Sequence, residues 1–311
     1  MREVVKIRKR VWLTARRFGR LRLAIPIASV CLAIIPSAFA VPVDIGSAAD
    51  YAVVGVGGSV SIQSDFSIYQ SATVINGNVA QGPYTDLTHS VDATVNGRWD
   101  YDNTDSAPFL GSGGSVTGGF VQKDLSGVAA DARAASATAA ALIPDVTFAT
   151  LTEGQTINAT GMGLYVVRIT DPVGLKTTLT LAGGATDQIV FQLTTAESGH
   201  VLDLGGLVMS LTGGITAGNV LWNLAGDTDG DIAIHADAFV AGTILAPDRS
   251  LVSTHGHFDG AVIAGGSGHE LDIHSGSQVN QPAAVPDGGS TCALLGFALI
   301  GLSGLRKKFK I

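Results

Sequence analysis

Phe239-Val240-Ala241-Gly242-Thr243-Ile244-Leu245-Ala246 is answered 19 positions later by Phe258-Asp259-Gly260-Ala261-Val262-Ile263-Ala264. Each stretch runs from an aromatic residue through a glycine into a short aliphatic segment. A fainter pair lies nearer the start, where Thr73-Val74-Ile75-Asn76-Gly77 returns as Thr94-Val95-Asn96-Gly97, with Asn76 and Asn96 20 apart. A period of about 20 residues matches one coil of a triangular β-helix, three short strands and three corners, whose stacked like residues bury a continuous apolar column. A β-sandwich also gives short strands at regular spacing and is the competing fold.

The rest of the body agrees with an all-β chain. Short apolar segments such as Leu179-Thr180-Leu181, Ile189-Val190-Phe191-Gln192-Leu193 and Leu207-Val208-Met209-Ser210-Leu211 are punctuated by Gly-Gly and Asn-Gly pairs, in a chain with 40 glycines. Such punctuation marks strands joined by tight corners. Gly and Asn are expected at those corners because they tolerate positive φ. One segment breaks the pattern. Leu125 to Leu142 is alanine-rich and stops before Pro144. Alanine is the best helix former and proline ends helices, so a helix is expected over about 125–142.

Both ends read as targeting segments. Met1 to Arg22 holds nine basic residues and one acid, Leu23 to Pro36 is apolar, and Ala38-Phe39-Ala40 is a small-x-small cleavage site. Residues 1–40 are therefore expected to be a secretory signal peptide cut after Ala40. At the other end, Val285-Pro286-Asp287-Gly288-Gly289 is followed by an apolar run from Thr291 to Leu305 and by Arg306-Lys307-Lys308-Phe309-Lys310. The run is somewhat shorter than the roughly 20 residues of a comfortable span. Its basic end is of the kind retained on the cytoplasmic side. Residues 281–311 thus form a sorting or anchor segment behind a domain of residues 41–280.

Trimming both ends changes the chemistry of what remains. Cys31 and Cys292 are the two cysteines, and both lie in these segments, so the exported domain has no thiol and no disulfide. Six of the 19 Lys and Arg remain, Arg98, Lys123, Arg133, Arg168, Lys176 and Arg249, against 24 of the 26 acids, a net charge near −18. A body so acidic repels nucleic acid and anionic lipid, and nucleic-acid partners are excluded.

Candidate chemistry is sparse. His255, His257, Asp259, His269, Glu270 and His274 crowd the last coils; His255 and His257, as alternate strand residues, would share a face and could hold a metal. Asp227, Asp229 and Asp231 form an acidic turn without EF-hand spacing, suited at most to loose Ca2+. Asp100, Asp102 and Asp105 sit beside Trp99 and Tyr101 in what reads as an irregular loop, the makings of a sugar-cleaving acid pair. Thr177, Thr178 and Thr180 form one threonine patch of the kind an ice-ordering face needs, but no similar Thr-x-Thr pair recurs at the coil period. No resident cofactor is expected.

Two family resemblances bear on these residues. The tail Val285-Pro286-Asp287-Gly288-Gly289 with its apolar run and basic end resembles the PEP-CTERM sorting signals, most closely the Val-Pro-Asp-Ser-Gly variant, with Gly288 in place of Ser. That resemblance implies export by the secretion machinery of a Gram-negative bacterium, brief anchoring in the membrane through the C-terminal segment, and processing by an exosortase-type protease. Gly218-Asn219-Val220-Leu221-Trp222-Asn223, with the two Phe-Gly repeats and the opening Tyr51-Ala52-Val53-Val54, resembles the choice-of-anchor A family, which is similar to the ice-binding-like adhesive domains. Covering about Ile45 to Glu270, it implies a right-handed β-helix with one helix alongside, between a signal helix and a short C-terminal hydrophobic helix. The function expected is non-enzymatic adhesion to extracellular polysaccharide or another surface ligand; the rivals are ice binding and a polysaccharide-active enzyme. Mass spectrometry of the protein recovered from its native envelope should find a chain that starts at Val41 and has lost its tail near Val285–Gly289. An intact chain would contradict both segments.

Overall fold

The computed structural model describes residues 43–63, 72–83, 89–171, 178–194, 202–226, 232–235 and 237–281. The signal-peptide residues Ala38 and Ala40, the sorting residues Val285 to Gly289 and the acidic turn Asp227, Asp229 and Asp231 lie outside them.

The described chain is mostly β with one long α-helix, Ser126–Ala141. Its strands form three parallel sheets of ten, nine and seven strands. The chain visits them in rotation: Val60–Gln63 lies in the seven-stranded sheet, Val74–Asn76 in the nine-stranded sheet and Val79–Gln81 in the ten-stranded sheet. Each lap then pairs with the next in register, as in Val79↔Trp99 and Trp99↔Phe120.

The order of laps in the stack is not the order of the sequence. Val53–Gly55 pairs with Val79–Gln81 on one side and with Val262–Ala264, near the end of the domain, on the other. The first laps build outward from mid-stack to Phe120–Lys123; the chain then re-enters at the opposite end with Val146–Phe148 and returns lap by lap to the middle. The residues read from sequence as the last coils therefore sit in the interior of the stack. The α-helix carries the chain between the two ends. Sixteen residues span about 24 Å, against about 43 Å for ten strands, and its short flanks supply the rest.

Inward side chains form ladders through the laps. Val262, Ile244, Trp222, Phe191, Val167 and Val146 are in register in the ten-stranded sheet. Phe191 and Trp222 stack with centroids 4.0 Å apart and planes 8° apart, and the Trp222 indole N–H donates to the Ala241 carbonyl at 3.0 Å. A parallel ladder brings like residues together at one strand spacing, which is why aromatic neighbours stack face to face here.

The outer face of the ten-stranded sheet carries the helix. Val54, Ala80, Val166, Val190, Leu221, Leu245 and Ile263 pack against Val128, Ala129, Ala132, Ala135 and Ala139. Alanine on the buried side lets the helix lie close to the sheet. Polar residues of the same sheet face fasten its C-terminal end. Gln192 Nε2 donates to the carbonyls of Ala139 and Leu142, both at 2.8 Å, and Asn223 Nδ2 donates to Ser136 O at 3.0 Å. Carbonyls of the last helical turn lack a full set of partners within the helix, and Gln192 reaches two of those at this end. At the other end, Asp102 accepts the Leu125 N–H at 2.8 Å. The helix expected over 125–142 is present, one residue shorter at each end.

The corners correct one expectation from the sequence. Asn76 and Asn96 do not take positive φ; among the described residues the four non-glycine residues that do, Asp92, Asp237, His255 and Ser275, all lie where the chain passes from the seven- to the nine-stranded sheet. At the next corner Gly77 and Gly242 do take positive φ, and Gly97 and Gly260 serve close approach between laps. At Gly260 an added Cβ would lie 2.1 Å from the Gly242 carbonyl oxygen, and at Gly97 2.2 Å from that of Gly77. Phe191→Ala should lower unfolding stability by about 3–5 kcal/mol in denaturant titrations, because the vacated space lies between two laps that cannot close on it. A loss under about 1 kcal/mol would mean that the aromatic stack is not part of the core.

Candidate binding faces

The carboxylates proposed for sugar cleavage are structural. Trp99–Asp102 is a regular strand, not an irregular loop, and Trp99 points into the core fully buried. Asp100 and Asp102 point to the opposite face and are buried too. Asp100 accepts from Tyr51 Oη at 2.7 Å and from the Arg98 guanidinium, and lies 2.7 Å from Lys123 Nζ. Burial acts to raise its pKa, but the hydrogen bonds from Arg98, Lys123 and Tyr51 together outweigh this and hold the carboxyl below its ordinary range. Burial likewise pushes the Tyr51 phenol up. For Asp102, burial is again opposed, by Thr104 and by the backbone N–H groups of Leu125 and Thr104, and the pKa is lowered. The cluster ties the segment before the first strand, through Tyr51, to two neighbouring laps. Its acids are occupied in holding the fold, and Asp105 lies past the strand end, beyond this cluster.

The histidines are also placed differently from the sequence reading. His255 occupies a corner with φ 59°, ahead of the strand His257–Asp259. His257 and Asp259 share the outer face of the nine-stranded sheet, flanking the buried Phe258. His274 belongs to the seven-stranded sheet, 3.5 Å from Asp272, and His269 and Glu270 lie in the turn before that strand. The crowding in sequence is thus divided between two faces and a corner. Among the described residues, no three His, Cys, Asp or Glu are grouped so as to hold a metal ion.

With the helix on the ten-stranded sheet, the outer faces of the other two sheets present repeating rows. On the seven-stranded sheet Asp203, Ala233, Val252, Asp272 and Ser61 are in register, and Thr254, His274 and Gln63 form a second row. His235 Nε2 lies 2.9 Å from Asp203.

On the nine-stranded sheet one row runs Thr178, Val208, Phe239, His257, Gln278, Val74, Thr94 and Ser115. Beside it Asp259, Asn280 and Asn76 are in register, and side-chain amides join across laps. Asn96 Nδ2 donates to Asn76 Oδ1, and Asn76 Nδ2 to Asn280 Oδ1, each at 2.8 Å. At the far end of this sheet Thr156, Thr180 and Ser210 are aligned on the outer face. They are 24 and 30 positions apart in sequence, so a search at a period of 20 misses a row that exists in space. The Thr-x-Thr pair itself does not recur on the paired strands, where Thr178 and Thr180 face Val208 and Ser210, in line with the sequence reading; Thr177 lies outside the described residues.

Residues 43–275 match the ice-binding-like adhesive domain. The chain belongs to that family. Its C-terminus, residues 284–309, matches the VPDSG-CTERM motif, which marks an exported, surface-associated protein. An ice-binding protein of Flammulina populicola is 28% identical over 102 residues, 33% of this chain and 37% of that protein. Two solved structures share the fold. One is the ice-binding protein of the Antarctic ascomycete Antarctomyces psychrotrophicus, at TM-score 0.50 and 22% identity over 78% of this chain and 99% of that one. The other is a glycosylated ice-binding protein from an Arctic yeast, at TM-score 0.50 and 19% identity over 79% and 96%. Among the described residues no helix is long and apolar enough to cross a membrane.

The buried Asp100 cluster gives a pH test with a definite sign. Because its folded-state pKa lies below the unfolded value of about 3.9, the carboxylate stabilises the fold above that pH, and the contribution is lost as pH falls toward the folded value. Asp100→Asn should cost about 2 kcal/mol at pH 7, with the gap to the parent protein closing on acidification below about pH 4. Thermal melts across that range check it, and a pH-independent gap would contradict the assignment.

Proposed function

We propose that this is a secreted, surface-sorted and non-enzymatic binding protein. Its domain is a right-handed β-solenoid that associates with extracellular polysaccharide or another surface ligand through a broad outer face. A signal peptide over residues 1–40 directs export. An exosortase-type protease of a Gram-negative envelope recognises Val285 to Gly289 while the apolar tail holds the chain briefly in the membrane. Loose Ca2+ at Asp227, Asp229 and Asp231 fits this role without being needed for it.

One observation carries the reading. Outward positions line up in rows from lap to lap over the nine-stranded sheet, whereas the acids that an enzyme would need, Asp100 and Asp102, accept hydrogen bonds from the chain's own donors. A repeating flat face makes many weak contacts to an extended partner, as solenoid surfaces do.

Ice binding is the second reading, favoured by the hydroxyl row Thr156, Thr180 and Ser210 beside the exposed Val208 and by the ice-binding relatives. The row is short, and the same sheet continues into Asp259 and the asparagine ladder.

The protein purified from its host envelope should adsorb saturably to the host's extracellular polysaccharide and show no freezing hysteresis. A clear hysteresis gap that disappears in Thr180→Tyr would favour the second reading. Failure to adsorb to polysaccharide or to washed host cells would overturn the first.

A further inference from the structure

We propose that the strip of the nine-stranded sheet from Asn96 through Asn76 and Asn280 to Asp259, with His257 and Phe239 beside it, is the docking line for a neutral, linear polysaccharide lying along the stack. This rests on the binding role proposed above and names the ligand class of one face.

The ladder is built for hydroxyl groups. Asn96 donates to Asn76 and Asn76 to Asn280, both at 2.8 Å, and Gln278 Nε2 donates to the same Asn280 oxygen at 3.0 Å. A primary amide has two N–H donors and two acceptor lone pairs. Asn76, which gives one bond and receives one, keeps an N–H and a lone pair for a ligand. The amides are already held by their neighbours, so a ligand meets them without the usual cost of immobilising long polar side chains. Adjacent strands repeat at about 4.8 Å, close to the length of one pyranose ring in a linear β-linked chain. A chain running along the stack would therefore meet a similar amide at each successive sugar.

The neighbouring row supplies the apolar half of a sugar site. Phe239 and His257 are adjacent in register and half-buried. The negative face of an aromatic ring attracts the C–H face of a pyranose.

Charge selects the kind of glycan. Among the described residues the basic side chains lie elsewhere: Arg98, Lys123 and Arg168 belong to strands of the ten-stranded sheet or their entry, Arg133 to the helix, and Arg249 is buried. The strip offers the acidic side chain of Asp259, in a domain whose net charge is near −18. An anionic polysaccharide would be repelled, and a neutral one would not.

The experiment measures binding of the protein purified from its host envelope to immobilised hydroxyethyl cellulose and to alginate, alongside adsorption to washed host cells. Val74→Arg places a long side chain across the strip without removing a ladder amide. Asn96→Ala shortens the ladder at its exposed end. Thr254→Arg, on the seven-stranded sheet, is the control. The proposal expects neutral-glucan binding at least about tenfold tighter than alginate binding, weakened about tenfold by Val74→Arg and by Asn96→Ala, and unchanged by Thr254→Arg. Equal binding to alginate, or binding indifferent to both strip variants, would overturn it. Adsorption to host cells without any glucan binding would also overturn it while leaving the broader binding role intact. Loss of both would remove the two together.

Discussion

The structure depends on one junction, the pairing of the first lap with the last: Val53–Gly55 with Val262–Ala264, Val60–Gln63 with Leu271–His274, and Val74–Asn76 with Gln278–Asn280. It joins the beginning of the domain to its end in the middle of the stack. Without it the laps would form two separate half-stacks, each with an unpaired strand edge exposed at the break. With it, the ten-stranded sheet is continuous from Phe120–Lys123 to Val146–Phe148. The pairing is non-local, so it cannot form until the last laps are present, and the entropy of closing so large a loop must be met before the contact rewards it.

The helix follows from that arrangement. A chain that leaves one end of the stack must restart at the other, and the alanine-rich segment makes the journey along the sheet's outer face. Its low side-chain bulk allows close packing, but apolar contact along such a smooth surface would leave its position along the sheet weakly specified. Gln192 sets that position by bonding carbonyls at its C-terminal end, Asn223 by bonding the Ser136 carbonyl within it, and Asp102 by accepting the N–H at its start. The Arg168 guanidinium, 2.9 and 3.0 Å from Gln192 Oε1, orients the glutamine in turn. The buried Asp100, with Arg98, Lys123 and Tyr51, fastens the start of the domain in the same way. The domain of residues 43–281 contains no cysteine and uses buried, hydrogen-bonded polar groups where others use disulfides, and such groups specify geometry more than they add stability.

The helix also decides which surfaces are free. It occupies one sheet face and leaves two, and these differ in chemistry. The seven-stranded sheet mixes Asp203 and His235, and Asp272 and His274, with Val252 and Thr254. The nine-stranded sheet passes from hydroxyls at one end, through Phe239 and His257, to an amide ladder at the other. Such a scaffold can carry different surfaces because the inward residues are constrained by packing while the outward residues, alternate along each strand, are not.

Much of this was legible in the chain. Composition and punctuation gave the β character, the alanine run gave the helix nearly to the residue, and the tail gave the sorting motif. The Phe-Gly and Asn-Gly repeats were visible because they come from short laps, 18 to 20 residues apart, but the 19-residue alignment is one residue out: Phe239 pairs with His257 and Phe258 with Val240, so the two phenylalanines lie on opposite faces. Longer laps, such as Phe191 to Trp222, carry no visible period, and the row Thr156, Thr180 and Ser210 was hidden for the same reason. The acids beside Trp99 looked like a loop because three aspartates in seven residues are unusual in a strand; burial beside two cations and a phenol is what permits them.

Local properties were therefore settled by the sequence itself, since propensity, turn chemistry and targeting signals act over a few residues. The order of the laps, the partners of each carboxylate and the side chains that line a common row were settled by tertiary structure. They depend on which distant strands lie side by side, and lateral register between parallel laps is fixed by packing across the stack, not by separation along the chain.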